Sequence, residues 1–546
     1  MIKTSDTHPL TINPVQLPHV KGVIGMTFCP GKKGPSLYSG SWDRDLGKDL
    51  AAIIDWGADA VISLVEEFEF QLLMVPDFKE QVQKFKLEWF HFPIIDISVP
   101  GERFDKAWAY EGNKIRGILA RGGKVVLHCR GGLGRTGLVA ARLLVEFGLE
   151  PGDAIKQVRA SRPGAIETKE QEHHIYECKS RNPRRTLDHY LGCLLGGAIG
   201  DALGAAIEFD SLVDIRKKYG VSGITSYGTA FGREGAITDD TQMTLFTAEG
   251  LLRACSRANA KGIGPAFASC TYYAYRRWLV TQDESSDQSI PTDGWLVKNR
   301  VLFNRRAPGG TCLSALKDGE PFYLGDKRQH NTSKGCGAVM RTAPVGLFSQ
   351  SPYVCKIWER ETRDEQSYAI GRDVGYLTHG HPSGYLPAAF LAKLMGRIID
   401  GDNLDSALDI TWQTLIQHHY ANETMAAISE ARELAADKLV QPCPETIAKI
   451  GEGWVGEEAL AIAIYCALVA DDDFDFGIRL AVNHDGDSDS TGAIAGNILG
   501  ALLGRKAIAD EWLERLELRN VIEQVAVDLF LGFQEGDEWW DKYPGH

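Results

Sequence analysis

The sequence lacks the features of several protein classes. None of its 11 cysteines forms a Cys-x-x-Cys pair, which argues against a disulfide framework and favours the reducing cytosol. Acidic residues outnumber basic ones, 73 against 59, for a net charge of −14, so nonspecific nucleic-acid binding is disfavoured. The apolar stretches 191–203 and 493–503 are too short to cross a bilayer, and the N-terminus has no signal core. We therefore expect a cytoplasmic protein with no membrane partner.

The 546 residues are enough for more than one domain. Residues 1–20 are rich in Pro, Thr and His, show no periodicity, and are interpreted as an N-terminal extension. In residues 21–180 short β-rich runs alternate with amphipathic helical ones, which predicts an α/β domain with a central sheet flanked by helices. A basic, proline-containing linker is predicted at 181–186. From 187 to 546 a 3.6-residue period dominates, which predicts a large all-α domain.

Residues 128–137, His-Cys-Arg-Gly-Gly-Leu-Gly-Arg-Thr-Gly, place a thiol and an arginine at the ends of a glycine-rich loop. A predicted buried strand, 124–128, leads into the loop, and a predicted apolar helix, 138–147, leads out of it. Such a turn directs backbone N–H groups and a helix N-terminus toward one point, which makes an anion site and holds Cys129 as the nucleophilic thiolate. The Arg135 fork can bind two phosphoryl oxygens. The alternative is a buried cysteine beside a loop.

With this loop, residues 20–178 resemble the dual-specificity branch of the cysteine-dependent protein phosphatases, most closely the kinase-associated type. The resemblance implies phosphate-ester hydrolysis through a thiophosphate, with Cys129 as nucleophile and Arg135 as phosphate ligand. It places Thr136 where a hydroxyl would hydrogen-bond the departing sulfur, and it gives His128 a role in orienting the loop. The loop residues implied to bind substrate are Arg130, Gly131, Gly132, Leu133 and Gly134.

Two further residues of this half are implied by the same resemblance. Asp96, placed at the end of a predicted strand 33 residues before the nucleophile, falls where the family has its general acid. The alternative for Asp96 is an ordinary turn residue, and Glu102 and Asp105 are weaker candidates for the acid. Gln171 falls in a segment that positions the hydrolytic water, although a polar residue at a helix start is an equal alternative.

Acidic and hydroxyl side chains crowd together before two apolar helices of the C-terminal half, at 237–246 and 483–496. At the N-terminus of each helix, one carboxylate is explained by capping or by a favourable interaction with the helix dipole. It does not account for all of them, because packed carboxylates repel unless a cation neutralises them. Oxygen ligands without a nearby Cys or His pair favour Mg2+ or Mn2+ over Zn2+, and two such clusters suggest a binuclear site.

With these segments, residues 188–546 resemble the ADP-ribosylglycohydrolase family, the dinitrogenase-reductase-activating type. The resemblance implies two Mg2+ ions, with Mn2+ as the alternative, that orient the distal ribose of ADP-ribose and activate a water. Ser490 stands where the family often has threonine, and Asp485 where a small residue is commoner. The implied metal ligands are Thr238, Asp239, Asp240, Asp487, Asp489 and Ser490.

The same resemblance implies three substrate contacts. Glu208 falls at the substrate entrance near the scissile ribose, with a surface charge as its alternative. Gly335 and Gly337 fall in a glycine-rich loop that approaches the diphosphate. His379 falls where a histidine contacts the ligand, and a structural histidine is an equal alternative.

The sequence therefore predicts a bifunctional hydrolase that removes ADP-ribose from a carrier, through an N- or O-glycosidic bond, and hydrolyses phosphate monoesters. Its predicted partners are ADP-ribosylated and phosphorylated proteins or small molecules. One alternative is a binding module for ADP-ribose or phosphate with a single active half. Another is a processing enzyme for phosphorylated ADP-ribose or for modified nucleic-acid ends.

Overall fold

The computed structural model describes residues 2–17, 21–35, 40–120, 122–178, 185–282, 290, 292–317 and 319–545. The chain divides into two compact units, residues 1–183 and 184–546. Of the predicted linker, residues 181–184 lie outside the described residues, and the first helix of the second unit begins at Leu187.

The first unit is an α/β fold, as the alternating sequence pattern predicts. Its strands are β1 (Asn13–Gln16), β2 (Val23–Phe28), β3 (Lys33–Gly34), β4 (Trp42–Asp43), β5 (Ala60–Ser63), β6 (Glu88–His91) and β7 (Lys124–Cys129). Its helices are α1 (Leu46–Asp55), α2 (Glu67–Leu72), α3 (Phe78–Lys84), α4 (Glu102–Ala120), α5 (Gly134–Glu146), α6 (Pro151–Ser161) and α7 (Lys169–Glu177).

Five of these strands form one sheet in the order β1-β2-β7-β5-β6. β1 is antiparallel to β2, and the other neighbours are parallel. The central strands are almost wholly apolar because helices cover both faces of the sheet. β7 lies in the middle, so its last residue, Cys129, opens at the carboxyl edge beside the loops that follow β2, β5 and β6.

The strand predicted to lead up to Asp96 is shorter in the structure and ends at His91. Pro93 has no N–H to continue the ladder, so the chain leaves the sheet there. Asp96 therefore lies in the loop beyond β6 and not at a strand end, which corrects the sequence-based placement.

The second unit is helical except for a two-stranded ribbon, β8 (Thr229–Ala230) and β9 (Arg233–Glu234), within the described residues. Its first helices are α8 (Leu187–Gly204), α9 (Leu212–Tyr219), α10 (Asp239–Lys261), α11 (Phe267–Thr281), α12 (Gly310–Lys317), α13 (Ala343–Ser349), α14 (Arg360–Tyr376) and α15 (Pro382–Ile399). They continue with α16 (Leu404–Leu415), α17 (Asn422–Ala436), α18 (Pro444–Ile450), α19 (Gly456–Val469), α20 (Phe474–Val482), α21 (Ser488–Leu503), α22 (Asp510–Arg515), α23 (Arg519–Leu531) and α24 (Asp537–Lys542).

Helices α8 and α21 meet through their backbones. A Cβ atom placed on Gly200 would lie 1.9 Å from the carbonyl oxygen of Gly492, and one placed on Gly492 would lie 2.5 Å from the carbonyl oxygen of Gly200. Both separations are far below van der Waals contact, so only glycine fits at this pair of positions. This glycine contact brings the C-terminal end of α8 next to the N-terminal end of α21, where the acidic segment 483–496 lies.

Two observations bear on the wider class of the protein. All eleven cysteines are free thiols. Among the residues that the structure describes, no helix is both long and apolar enough to cross a bilayer.

The glycine contact predicts a stability effect. Gly492→Ala should lower the free energy of unfolding by about 1–3 kcal/mol, because the added methyl group forces α8 and α21 apart. Urea denaturation, read as a shift in midpoint, measures the loss. Gly264→Ala is the matched control, since no described neighbouring atom lies within 4 Å of a Cβ there. Equal stability of the two variants would contradict the account.

Candidate active sites

In the first unit, Cys129 and the loop after it form a compact turn around the thiol. The backbone N–H of Gly132 donates to Cys129 Sγ at 3.2 Å. Gly132 has a φ of +74°, and a Cβ there would lie 2.4 Å from the carbonyl oxygen of Thr27, so the turn requires glycine. α5 begins immediately after the loop, and its N-terminus adds a favourable field for an anion. The buried thiol thus lies at a place built for negative charge.

Arg135 is fully buried and held by a carboxylate that is absent from the predicted set. Its Nη1 and Nη2 donate to the two oxygens of Glu69 at 2.6 and 3.0 Å, and Nη1 also donates to the carbonyl oxygen of Ile94 at 3.0 Å. Glu69 lies on α2, just beyond the carboxyl end of β5. A buried two-pronged pair of this kind fixes the plane of the guanidinium. Glu69 therefore positions the guanidinium of Arg135.

Asp96 is brought to the same arginine. Its Oδ1 lies 2.9 Å from Arg135 Nη2, and 53% of its side chain is exposed. The weaker candidates lie elsewhere: Asp105 pairs with Arg142 at 3.1 Å, and Glu102 pairs with Lys106 at 2.7 Å. Of the three acids considered for proton transfer, the structure places only Asp96 beside Arg135.

His128 is suited to holding the loop and unsuited to proton transfer. Burial lowers the pKa of His128 to about 3, so the ring is neutral near pH 7. Its Nε2 is 2.7 Å from Ser63 Oγ, which in turn accepts from Trp89 Nε1 at 2.9 Å. The side chain thus ties β7 to its neighbour β5.

The remaining predicted residues of this half lie around the base of the loop. Gln171 is buried, with its Oε1 accepting from the N–H of Glu167 at 2.9 Å and its Nε2 donating to the carbonyl oxygen of Ser98 at 3.2 Å. The Thr136 hydroxyl is buried with no hydrogen-bond partner among the described residues. The N–H of Gly134 donates to Glu167 Oε2 at 2.7 Å.

Two basic residues outside the predicted set hold the outer carbonyls of the loop. Lys32 Nζ donates to the carbonyl oxygen of Arg130 at 3.3 Å, and Arg162 Nη2 donates to that of Gly131 at 3.2 Å. Burial lowers the pKa of Lys32 to about 8. These contacts fix the loop carbonyls, while two loop N–H groups already donate, that of Gly132 to Cys129 Sγ and that of Gly134 to Glu167 Oε2. The sequence does not indicate that Lys32 and Arg162 contact this loop, because both are brought to it only by the tertiary fold.

In the second unit, Asp201 organises the start of α10. It is fully buried on α8 and accepts from the N–H of Thr238 at 3.0 and 3.1 Å and from the N–H of Thr241 at 3.1 Å. The Thr241 hydroxyl also donates to it. Asp201 is absent from the predicted ligand set, although a lone carboxylate within the Gly/Ala-rich stretch 192–207 is the signal that could have identified it. Its bonds place Asp239 and Asp240 in the interior.

The predicted ligands Asp239, Asp240 and Asp489 are buried together. Burial is the largest cause of a pKa well above the ordinary value for each of them. Neighbouring negative charges raise these pKa values further. The charge of Asp240 raises the pKa of Asp489, and the charge of Asp239 raises the pKa of Asp240. Carboxylates so placed either take up protons or are neutralised by a cation.

The other predicted ligands, Asp487 and Ser490, lie at the N-terminus of α21. Asp487 Oδ1 accepts from the N–H of Ser490 at 3.3 Å, and its Oδ2 accepts from the thiol of Cys336 at 2.8 Å. Coulombic interaction with Asp487 contributes to the raised pKa of Asp240, so the two acidic segments meet in space, as the spacing predicts.

The donor chemistry of this acidic cluster fits a hard divalent cation. The predicted set offers only carboxylate and hydroxyl oxygens, and Asp240 Oδ1 is buried without a hydrogen-bond partner in the described part of the chain. No three His, Cys, Asp or Glu side chains of the described residues are gathered closely enough to hold an ion as they stand. Thr238 and Ser490, which supply hydroxyls, would be needed to complete a coordination shell.

Glu208 and Asp485 take different places. Glu208 is half-buried, and burial, Asp487 and Asp201 together raise its pKa to about 8. Asp485 lies at the surface, where its Oδ1 accepts from the N–H of Leu212 at 2.7 Å at the start of α9. Glu208 therefore belongs to the acidic cluster, whereas Asp485 serves as a helix cap.

The structure brings His379 together with the glycine-rich segment. Its Nε2 lies 3.3 Å from a Cβ placed on Gly335, and its Cε1 lies 3.2 Å from one placed on Gly337. The segment is a 3-10 helix over Cys336–Arg341 and not an open loop. His379 Nδ1 is 2.8 Å from Thr378 Oγ1, and burial lowers the pKa of His379 to about 3, so the ring is neutral.

Comparison with known families matches both units. The ADP-ribosylglycohydrolase family profile matches residues 182–538. A second profile, described as a DSP-PTPase phosphatase of polymorphic toxin systems, matches residues 43–149.

Individual relatives are similar at a distance. The chain is 24% identical over 339 residues to the ADP-ribosyl-[dinitrogen reductase] glycohydrolase of Rhodospirillum rubrum, covering 61% of this chain and 91% of that protein. It is 25% identical over 365 residues to the ADP-ribosylarginine hydrolase Tri1 of Serratia proteamaculans, covering 64% and 81%. A crystal structure of kinase-associated phosphatase, with its catalytic cysteine replaced by serine, is 26% identical with a TM-score of 0.28, covering 31% of this chain and 93% of that one.

The acidic cluster predicts an unusual dependence of stability on pH. Five of its acids have a higher pKa in the folded than in the unfolded protein, namely Asp201, Glu208, Asp239, Asp240 and Asp489. The folded protein therefore binds more protons, and the free energy of unfolding falls as pH rises. The pH range of this loss lies between the unfolded and the folded pKa of each group, which are 3.8 and about 6 for Asp201 and 4.5 and about 8 for Glu208. In EDTA, the Tm of the helical unit should therefore fall between about pH 5 and about pH 8.

Added Mg2+ should raise the Tm more at pH 8 than at pH 5, because the ion and protons compete for the same carboxylates. Scanning calorimetry at several pH values measures both effects, and Asp240→Asn, with one carboxylate fewer, should show a shallower fall. A Tm that rises with pH in EDTA, or a Mg2+ effect independent of pH, would contradict this assignment.

Proposed function

The chain belongs to the ADP-ribosylglycohydrolase family, and from that membership we propose that it is a bifunctional hydrolase. One activity removes ADP-ribose from a modified carrier, and the other hydrolyses phosphate monoesters through Cys129. The observation that carries the proposal is the pair of sites with opposite electrostatics: a thiol in a loop of N–H donors, and a buried cluster of carboxylates.

In the phosphatase half, phosphate would replace Asp96 as a partner of Arg135. The Cys129 sulfur attacks phosphorus, an S–P bond forms, and the bond from phosphorus to the ester oxygen breaks. Asp96, once released from Arg135, takes up a proton from solvent and gives it to that oxygen, so the carrier leaves as an alcohol. Glu69 keeps the guanidinium plane fixed as charge builds on the phosphoryl oxygens.

The second step returns the enzyme to its starting state. Water attacks phosphorus, Asp96 takes the water proton, and the S–P bond breaks to release inorganic phosphate. The Thr136 hydroxyl, which lacks a hydrogen-bond partner within the described residues, is placed in sequence to donate to the departing sulfur. Gln171, held beside Gly134, orients the water in this scheme.

In the hydrolase half, the residues proposed to hold two divalent cations are Thr238, Asp239, Asp240, Asp487, Asp489 and Ser490. When bound, Mg2+ or Mn2+ would orient the ribose hydroxyls and lower the pKa of a water. Glu208 is assigned to proton transfer at the anomeric carbon because it interacts with both Asp487 and Asp201. His379, with Gly335 and Gly337, is assigned to holding the ADP-ribose.

The carrier is proposed to be an ADP-ribosylated protein or a small molecule, joined by an N- or O-glycosidic bond. The relatives described by name act on ADP-ribosyl-dinitrogen reductase and on ADP-ribosylarginine. Their similarity extends over most of their own lengths, which supports substrates of the same general kind for this chain. The phosphorylated substrate is proposed only as a phosphate monoester.

A substrate panel tests the two activities separately. Wild type is incubated with Mg2+ and ADP-ribosyl-arginine, ADP-ribosyl-serine, ADP-ribose 1″-phosphate, ADP-ribosylated nucleic-acid ends or p-nitrophenyl phosphate, and the products are identified by mass spectrometry. Cys129→Ser should reduce phosphate release by roughly 10³-fold or more while leaving ADP-ribose release unchanged. Asp239→Asn should reduce ADP-ribose release by about 100-fold or more while leaving phosphate release unchanged.

Each variant serves as the folding control for the other, because each keeps one activity. If neither variant loses any activity on the panel, both site assignments fail. Binding of ADP-ribose by wild type without product from any substrate would instead indicate a binding module.

A further inference from the structure

Residues 3–8 add an outer segment to the ribbon formed by β3 and β4. The N–H of Lys3 donates to the carbonyl oxygen of Ser41 at 2.9 Å, and the N–H of Asp43 donates to the carbonyl oxygen of Lys3 at 3.0 Å. The Lys3 ammonium also lies 5.0 Å from the ring centroid of Trp42. The beginning of the predicted N-terminal extension is therefore part of the fold of the first unit.

A buried arginine fastens the far end of this segment. Arg44 Nη1 donates to the carbonyl oxygen of His8 at 2.6 Å. Its Nε and Nη2 donate to the two oxygens of Asp49 at 2.7 and 2.8 Å, and Asp49 Oδ2 also accepts from the N–H of Gly31 at 2.8 Å. Both side chains of the pair are buried, which favours one fixed geometry. The pair thus joins the N-terminal segment to the loop that follows β2.

Lys32, the next residue of that loop, lies against two aromatic rings. Its Nζ is 4.4 Å from the ring centroid of Phe28 and 4.5 Å from that of Trp42. Aromatic faces attract ammonium groups, so the two rings limit where the Lys32 ammonium can lie. From this place Nζ donates to the carbonyl oxygen of Arg130, in the loop after Cys129, at 3.3 Å.

The N-terminal part of the chain also holds the second cation of that loop. Asn13, the first residue of β1, accepts from Arg162 Nη1 through its Oδ1 at 2.6 Å. Arg162 Nη2 in turn donates to the carbonyl oxygen of Gly131 at 3.2 Å. Asn13 is itself fixed, because its Nδ2 donates to the carbonyl oxygen of Ser161 at 2.9 Å. Residues before β2 therefore contact the supports of both outer carbonyls.

The charge of Lys32 acts on the thiol as well as on the loop. Burial lowers the pKa of Lys32 to about 8; negative charge on Cys29 and Cys129 opposes this fall, and the positive charges of Arg44 and Arg162 add to it. Because Coulombic attraction is mutual, the Lys32 ammonium stabilises a sulfur anion at Cys129. Removing this charge should therefore weaken the site twice, through the loop geometry and through the field at the sulfur.

We propose that Lys32 is a positioning residue of the phosphatase reaction and that residues 3–8 hold it in place. The segment fixes Trp42 and Arg44, these residues confine Lys32, and Lys32 holds the carbonyl of Arg130. The proposal rests on the phosphate monoester hydrolysis proposed above and deepens it, because it assigns part of that site to a segment far from the loop in sequence.

A double-variant cycle tests this connection. Wild type, Lys32→Met, a deletion of residues 2–8 and the combination of both changes are assayed for kcat/KM on p-nitrophenyl phosphate. Lys32→Met should lower kcat/KM roughly 10- to 100-fold, the effect of losing a hydrogen bond from a charged group, and the deletion should cause much of the same loss. The combination should fall no further than Lys32→Met alone, within about 3-fold, because both changes break one connection.

The pH dependence distinguishes positioning by a charge from a general loss of structure. Lys32→Arg should keep most of the activity near neutral pH, because arginine remains charged. In the ratio of kcat/KM between wild type and this variant, the titrations of the substrate and of the other residues cancel. The ratio should be constant below about pH 7 and fall above about pH 8, as Lys32 loses its proton. A ratio that stays constant throughout this range would contradict the proposal.

Lys124→Met is the matched control. Lys124 Nζ makes the same two kinds of contact, with the carbonyl oxygen of Trp56 at 3.0 Å and with its ring at 5.0 Å. Lys124 is the first residue of β7 and Cys129 the last, so the control lies at the opposite edge of the sheet and should keep the wild-type kcat/KM. An equal loss in the control, or losses that multiply in the double-variant cycle, would overturn the proposal.

A milder variant covers the case in which the deletion unfolds the first unit, seen as loss of its thermal transition. Trp42→Leu then replaces the deletion in the cycle, because the Trp42 ring contacts the ammonium groups of both Lys3 and Lys32. The same two outcomes, a loss shared with Lys32→Met or losses that multiply, uphold or overturn the proposal.

If wild type releases no phosphate from any substrate, the proposed function fails. The positioning role is then judged by calorimetric titration of inorganic phosphate into the same proteins. Weaker phosphate binding by Lys32→Met and by the deletion variant, with Lys124→Met like wild type, upholds the role. Equal binding by wild type and all variants overturns it.

Discussion

The backbone contact between α8 and α21 is the constraint on which the helical unit depends. Glycines at the crossing let the two helices approach until carbonyl oxygens of one touch the Cα positions of the other. On the same helix α8, Asp201 accepts three hydrogen bonds from the start of α10, from the N–H groups of Thr238 and Thr241 and from the Thr241 hydroxyl. The first residues of α10 and α21 are thereby held together, and with them the carboxylates that neither segment could gather alone.

The two units solve opposite electrostatic problems with similar means. In the α/β unit an arginine is buried and kept in one plane by two carboxylates, Glu69 and Asp96, one buried and one exposed. The exposed carboxylate is the one proposed to give way to phosphate, and the buried one holds the guanidinium in place. In the helical unit carboxylates are buried with few basic partners, so their repulsion stores an affinity for protons or cations.

The sequence alone predicted the parts of each site that lie within one short segment of the chain. The thiol, the arginine and the glycines between them belong to a single strand–loop–helix, so their geometry follows from their spacing. The acidic residues before α10 and α21 were identifiable for the same reason. Long-range partners were not: Glu69 reaches Arg135 across 66 positions, and Asp201 reaches Thr238 across 37. Asp485 illustrates the converse, because a carboxylate next to a ligand segment turned out to cap α9.

The carboxylates at the starts of α10 and α21 are proposed to form a cation site. Anomalous scattering from a crystal grown with Mn2+ tests it most directly, since the metal is located without reference to activity. The account predicts manganese peaks between residues 238–240 and 487–490, absent from a crystal of Asp240→Asn. Peaks elsewhere only, or no peak at saturating Mn2+, would contradict it.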